Sequence, residues 1–299
     1  MANSLGTITP SLILQRALET LTDSFPILGS FVQDFSDVPV LYNQTVYSRI
    51  PQLQAVQSWN QASGFQPSTG TLIDIPVTIN NFNYTEVAFN QQELSSTNLN
   101  LIETFAKPLA YQIGNDITAA VFGLVTTGNY TSSVAIPSGQ LATRNNAVVP
   151  ARLALNQNLA PQNDRFYIAN PTIESELLQD ESVVKMTWGA GGIGENSIPP
   201  LHGFQMGTYT AMPTTANLKA VALQKDALVI ASRPPSPLDL EGIPQVGLVQ
   251  NVTDPRTGLT VQYVIFQDLA FGRIRVRYAW QYGVAVGNAK CLTRVTRVT

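Results

Sequence analysis

SSTNLNLIETFAKPLAYQIGNDITAAVFGLVTTG, running from Ser95 to Gly128, is the stretch on which the reading of this chain turns. Ile102, Ala106, Leu109, Ile113, Ile117, Ala120 and Leu124 recur at steps of three and four residues, which is the period of one helix face. Ser95, Ser96 or Thr97 can cap its start, Glu103 and Lys107 are spaced as an i,i+4 pair, and Gly128 suits a C-terminal cap. A helix of this length would be a rod of about 45 Å. Pro108 removes the hydrogen bond to the carbonyl of Thr104 and is expected to bend it. Periodicity alone is also compatible with a plain core helix, or with two shorter helices meeting at Pro108.

The rest of the chain reads outward from this rod. Thr9-Pro10 opens a helix carrying Leu14, Ala17, Leu18 and Leu21, which ends near Pro26. TLIDIPVTINNFNYTEVAF alternates as two strands, Leu72–Ile79 and Tyr84–Phe89, read as a hairpin about Asn80-Asn81. Residues 40–92 contain only three charged residues, Arg49, Asp74 and Glu86, and no lysine. Such a polar, nearly uncharged excursion, with Trp59 and Phe65 along it, is a candidate arm for contact with a neighbouring subunit; the plainer alternative is an ordinary sheet with one wet face. Downstream, ARLALNQNLAP reads as a helix, RFYIANP as a strand and TIESELLQD as a helix capped by Thr172. KAVALQKDALVIASRPP is a helix or a pair of strands, and the C-terminal part is strand after strand, with a hairpin turn at Asp254-Pro255-Arg256-Thr257-Gly258.

Composition narrows the function. Charged residues make up 12% of the 299, about half the usual fraction, and the net charge is −3. A surface that is mainly uncharged and polar suits a protein buried against other subunits, where a charge would need a partner. Bulk charge argues against a dedicated nucleic-acid-binding protein. One cysteine, Cys291, excludes an intrachain disulfide framework. No basic-then-apolar leader and no apolar run of membrane-spanning length is present.

Catalytic motifs fail on inspection. His202 is the only histidine, its surroundings lack a nucleophile elbow, and a structural role is expected. GAGGIG matches the dinucleotide glycine pattern at Gly189, Gly191 and Gly194, but Pro199-Pro200 forbids the helix that would meet the phosphates. Glu174, Glu176, Asp180 and Glu181 gather on one expected helix and read as a solvated face. Residues 269–299 carry six cations and no acid. Within them Arg273, Arg275 and Arg277 alternate with Ile274, Val276 and Tyr278, which would put the arginines on one face of a strand. Either they pair with acids elsewhere, Asp34 and Asp37 being candidates, or they face a polyanion.

The order of these elements resembles the major capsid proteins of tailed phages with the Hong Kong 97-like fold, in the branch that uses a separate scaffolding protein. The residues that carry the likeness are TITPSLILQRALETL, NLIETFAKPLAYQIGNDI, LNQNLAPQNDRFYIANPTIESELLQD, LHGFQMGTYTAMP, QKDALVIASRPP and TDPRTGLTVQYVIFQDLAFGRIRVRYAWQYGVAV, in family order from Thr7 to Val286. The resemblance implies an α+β chain: N-terminal arm and helix (1–39), extended β-hairpin loop (40–92), spine helix of the peripheral domain (93–134), axial domain (135–265) and C-terminal strands of the peripheral domain (266–299). It further implies a virion protein assembled in the host cytoplasm into hexamers and pentamers of an icosahedral shell around double-stranded DNA. Scaffolding and portal proteins, and in some relatives a decoration protein, would be partners, with the packaged DNA touched by non-specific contact; no cofactor, metal, catalytic residue or membrane is implied. On this reading Arg49, Trp59, Phe65, Asp74 and Glu86 are candidate intersubunit contacts, and Arg273, Arg275 and Arg277 a candidate inner-face basic strand. The lysine with which some relatives weld their loops by an isopeptide bond has no counterpart in residues 40–92. From another class, the Asn/Thr/Tyr-rich strands would also fit a carbohydrate-binding or tail-associated β module, which predicts an aromatic platform and no long helix. An enzyme built on the acidic cluster and His202 is a third class.

Overall fold

The computed structural model describes residues 26–39, 41–50, 56–65, 73–90, 101–181, 183, 198, 200–236, 247–254, 257–268 and 270–298. The helix expected after Thr9-Pro10, the caps at Ser95–Thr97 and the GAGGIG loop lie outside them. In chain order the elements are β1 (Val32–Phe35), β2 (Thr45–Ile50), β3 (Ile73–Thr78), β4 (Asn81–Asn90), α1 (Leu101–Gly123), β5 (Ser133–Ile136), α2 (Val149–Gln157), β6 (Arg165–Ala169), α3 (Pro171–Leu178), β7 (Gln205–Thr208), β8 (Leu218–Gln224), β9 (Leu228–Arg233), β10 (Leu248–Thr253), β11 (Thr260–Asp268), β12 (Arg273–Val286) and β13 (Leu292–Arg297).

The strand β12 organises the larger sheet, β1-β9-β12-β11-β10 with β4 also on β12. It pairs antiparallel with β4 over residues 273–282, with β11 over 273–279 and with β9 over 281–286. Residues with two partners show that β4 takes one edge, while β11 and β9 lie end to end along the other. Alternation does the rest: Val276, Tyr278, Trp280 and Tyr282 are buried on one face, and Arg273, Arg275 and Arg277 stand on the other. A second sheet, β5-β13-β8-β6-β7, is built on β8, β9's neighbour in sequence. QKDAL turns from β8 into β9 through a short 3-10 segment, so KAVALQKDALVIASR is a pair of strands and not a helix. The hairpin expected at Asp254 closes β10 onto β11: Gly258 N–H donates to the Asp254 carbonyl at 2.9 Å, at a φ of +77° that glycine tolerates without strain.

The rod lies against the aromatic face of β12. Its 23 residues, about 35 Å at helical rise, run continuously through Pro108. Ile113 and Ile117 are buried as expected and Ala120 and Leu124 partly so, while Tyr111, Gln112 and Ala119 stay exposed. The helix ends at Gly123, not Gly128, and its last two turns bury a wider arc than the stripe foretold. Val121 and Phe122 are fully buried, Phe122 stacked on Tyr209 (5.0 Å between ring centres) and edge-on to Phe31 (5.8 Å). Asp116 ties helix to sheet: its Oδ2 accepts from Asn83 Nδ2 of β4 (2.7 Å) and from Trp280 Nε1 of β12 (2.9 Å).

One expectation fails here. Residues 73–78 and 81–90 do not form a hairpin with each other. β3 pairs antiparallel with β2, and β4 pairs with β12, so Asn80 marks the passage from one ribbon to the main sheet. Alternation gives strands but not their partners, and both candidates for β3 were strands of the right period. Likewise the cap of α3 is Asn170, whose Oδ1 accepts from Ile173 N–H at 2.9 Å, and not Thr172.

Candidate intersubunit surface

Five of the site residues expected from the sequence fall between β2 and β4, and the ribbon β2–β3 positions most of them. Its inner face presents Ser48, Ile50, Ile75 and Val77, all buried. Ile50, Ile75 and Val77 pack with Val229 and Ala231 of β9 in a small core of their own, flanked by Val32 and Ala285. The root is held tightly: at Gly283 of β12 a Cβ atom would overlap the Thr78 carbonyl and press on Val77 Cγ1 at 3.1 Å. A fixed root and an exposed far end make this ribbon an arm. Arg49 and Asp74 face each other across it and pair at 3.1 Å. With side chains 72% and 48% exposed the pair is worth ~0–1 kcal/mol, so it adds more to pairing specificity than to stability.

Beyond the root the chain carries apolar groups into solvent. Asn60 and Gly64 close a turn (N–H to carbonyl, 2.8 Å), and around it Val56, Trp59 and Phe65 are 98%, 60% and 89% exposed. No residue from 51 to 73 is charged. Large apolar side chains this exposed, with no charge beside them, make the segment a candidate contact surface.

The face of the main sheet opposite α1 carries the remaining candidate residues. Arg275 donates to Glu86 Oε1 (2.9 Å) and to Asp268 Oδ2 (2.6 Å), and Arg277 Nε donates to Glu86 Oε2 (3.0 Å). The Arg277 guanidinium also stacks over Phe266 and Tyr84, and Arg273 lies over Phe271. Arg275 and Arg277 therefore pair within the chain, with Glu86 and Asp268. Asp34, proposed for them, instead holds Arg233 at 2.8 Å. Glu86, expected at a subunit contact, is committed to two arginines of its own chain. Beside them opens a shallow pocket of about 300 Å³, lined by Tyr42, Phe82, Pro235, Gln262, Arg277 and Gln281 among others. Tyr42, Phe82 and Tyr84 are exposed at this face, whereas Gln281 is buried and its Nε2 has no hydrogen-bond partner. A pocket of aromatic walls with a waiting amide donor suits a neutral group that brings an acceptor. The sequence signalled Glu86 and the arginines, but not Gln262 or Gln281, which become neighbours only through the β11–β12 register.

The acidic helix also departs from expectation. Glu176 is buried, accepts from the Ala142 backbone N–H at 2.6 Å and bonds Arg297 of β13. Burial alone would raise its pKa; Arg297 and the Ala142 amide outweigh it and hold the carboxyl below its ordinary 4.5. Glu86 behaves the same way: burial opposes, but Arg275 and Arg277 prevail and lower it. Both groups therefore stabilise the fold fully above the ordinary carboxylate value, and that contribution is lost as pH falls through their depressed folded values. The melting temperature of unassembled subunits is expected to decline as the pH falls below about 4.5. Glu86→Gln should lower the melting temperature at neutral pH and flatten this acid limb; an unchanged limb would show that the network contributes nothing.

Among the described residues no group of three or more His, Cys, Asp or Glu side chains is placed to hold a metal, and no helix is long and apolar enough to cross a membrane. Cys291 is buried and its thiol pKa is pushed up to about 11 by burial and by Asp226, so it is a poor nucleophile.

No protein-family model and no curated protein matches the chain. Solved structures do. The capsid of cyanophage P-SCSP1u superposes with a TM-score of 0.55 at 11% identity, covering 90% of this chain and 87% of that one. The mature capsid of bacteriophage PhiM1 gives 0.57 at 10% identity, over 89% and 86%. The capsid of an empty GTA particle gives 0.55 at 13%, over 92% and 90%. At such identities the likeness is one of fold, and the chain has the α+β fold of these capsid subunits over about nine-tenths of its length.

Proposed function

We propose that the chain is the major capsid protein of a tailed bacteriophage, assembling into hexamers and pentamers of an icosahedral shell that encloses double-stranded DNA. The observation that carries this reading is a fold shared end to end with capsid subunits, with about nine-tenths of each chain covered. The arm supports it from physics alone, since a ribbon with an uncharged, apolar tip and an immobilised root is a device for reaching another copy. In this reading 1–39 is the N-terminal arm, 40–92 the extended loop, 93–134 the spine of the peripheral domain, 135–265 the axial domain and 266–299 the closing strands. Arg49, Trp59, Phe65 and Asp74 sit at the subunit contact, and the pocket beside Gln281 receives the arm of an adjacent copy. A separate scaffolding protein and a portal are the partners, with assembly in the host cytoplasm. The continuous 23-residue α1 weighs against an all-β carbohydrate-binding or tail-associated module. Expression of the chain alone and with its scaffold, followed by sedimentation and negative-stain microscopy, tests the proposal. Capsomers or closed shells are expected; a monomer under both conditions would refute it.

A further inference from the structure

Three arginines without a carboxylate partner gather at one corner of the second sheet. Half of the described arginines meet carboxylates: Arg49 with Asp74, Arg233 with Asp34, Arg275 with Glu86 and Asp268, Arg277 with Glu86, Arg297 with Glu176. Arg273 lies over Phe271, and Arg294 is held by the Tyr130 carbonyl and Thr127. Arg144, Arg152 and Arg165 have no such partner among the described residues. Arg165 opens β6 and is only 4% exposed. It donates to the Pro161 and Ala160 carbonyls (both 2.7 Å) and to Asn156 Oδ1 (2.8 Å), all neutral acceptors. Asn156 lies one turn beyond Arg152 on α2, which sets Arg152 and Arg165 side by side. Arg144 stands at the head of the turn that runs into α2.

Histidine 202 comes to the same corner through strand register. Phe166 of β6 pairs with Gln205 of β7, so Arg165 lies level with Phe204, at the end of the tight turn Leu201–Phe204. His202 and Gly203 occupy that turn at φ +51° and +82°, an uncommon conformation for a histidine. Two nitrogens here, Arg144 Nε and His202 Nε2, are shut off from solvent and have no hydrogen-bond partner. Burial, Arg144 and Arg152 depress the histidine pKa, so it remains neutral near pH 7. The nearby carboxylates face other groups: Asp180 accepts from the Arg144 backbone N–H (2.8 Å), Asp164 from Asn163 (3.1 Å) and Asp226 from Gln224 (3.4 Å). A buried guanidinium held only by neutral acceptors, beside two half-buried arginines that no carboxylate meets, is a site short of an anion.

We infer that the corner formed by Arg144, Arg152, Arg165 and His202 binds phosphate groups of a nucleic-acid backbone. Arginine forks match phosphate oxygens in pairs, and the site offers no base-reading groups, so the contact is independent of sequence and sensitive to salt. This moves the nucleic-acid contact away from the Arg273–Arg277 strand, where Glu86 and Asp268 already engage Arg275 and Arg277.

The test is fluorescence anisotropy of a labelled DNA duplex of about twenty base pairs with purified subunits, over a series of NaCl concentrations. The Arg144→Gln/Arg152→Gln double variant should bind about tenfold more weakly at low salt, with a log–log salt slope shallower by about 2, one unit per phosphate lost. Arg273→Gln should leave both unchanged, and a melting curve establishes that the double variant is folded. An unchanged slope overturns the inference, as does displacement of the duplex by polyglutamate at equal charge, which would make the corner a site for an acidic protein. Shell assembly is scored separately. Normal shells with an unchanged slope would refute this site alone, whereas DNA binding lost on mutation in a protein that never assembles would refute the capsid reading alone.

Discussion

Deletion of residues 56–65 is expected to leave folded, soluble subunits that no longer close into shells. The segment's large apolar side chains add no buried packing to the fold of their own chain. Its turn is local, from Asn60 to Gly64, and Val56, Trp59 and Phe65 stand in solvent. Melting temperature should therefore stay close to that of the parent, while particle yield falls by at least about tenfold, the effect of roughly 1.4 kcal/mol lost per contact in a structure that repeats it many times. Trp59→Ala should go part of the way, because a large aromatic is the usual anchor of an interface. Sedimentation of the purified variants reads both outcomes. Normal shells from the deletion would show that the arm tip is ornamental.

Substitution of Gly283 by alanine is expected to be nearly as damaging, for a different reason. The position is dictated by a backbone, not by a side chain that can turn aside: the added Cβ overlaps the Thr78 carbonyl where β3 crosses β12. Relief requires the arm root to lift from the small core of Ile50, Ile75, Val77, Val229 and Ala231. Overpacking of this kind costs about 1–3 kcal/mol, or several degrees of melting temperature for a chain of this size, and it tilts the arm away from any fixed partner. Gly29→Ala is the control, since a Cβ there meets nothing within 4 Å. Equal melting temperatures for the two variants would mean that the root is looser than its packing implies.

Much of this architecture could be read before any coordinates. The spacing of Ile113, Ile117, Ala120 and Leu124 located the helix, and the alternation of Arg273, Arg275 and Arg277 with apolar residues located the central strand, because both are local periodicities of the backbone. What escaped was pairing across distance. Nothing in residues 73–90 says that β3 belongs with β2 and β4 with β12; that choice is made by the whole sheet. The same limit explains Glu176. On its helix it looks like one of four acids in water, and only the arrival of β13 from the far end of the chain brings Arg297 to it. Arg275 and Arg277 were correctly seen to share a face, yet their partners, Glu86 and Asp268, are set by the register of β4 and β11 on β12. The candidate surface was legible where it is made of composition, in the uncharged arm with Trp59 and Phe65. It was hidden where it is made of register, in the pocket around Gln262 and Gln281. The basic corner was hidden for the same reason, since its histidine and its arginines come from three separate segments.

The account rests on the arm joining one copy to the next. A cryo-electron-microscopy map of assembled particles, at a resolution that traces side chains, tests this most directly. Residues 56–65 of one copy should lie on the sheet face of an adjacent copy, with an acceptor within hydrogen-bond reach of Gln281 Nε2 and with Trp59 or Phe65 against Tyr42, Phe82 or Tyr84. A map in which the tip of the arm stands in solvent, or folds back on its own sheet, would contradict the account.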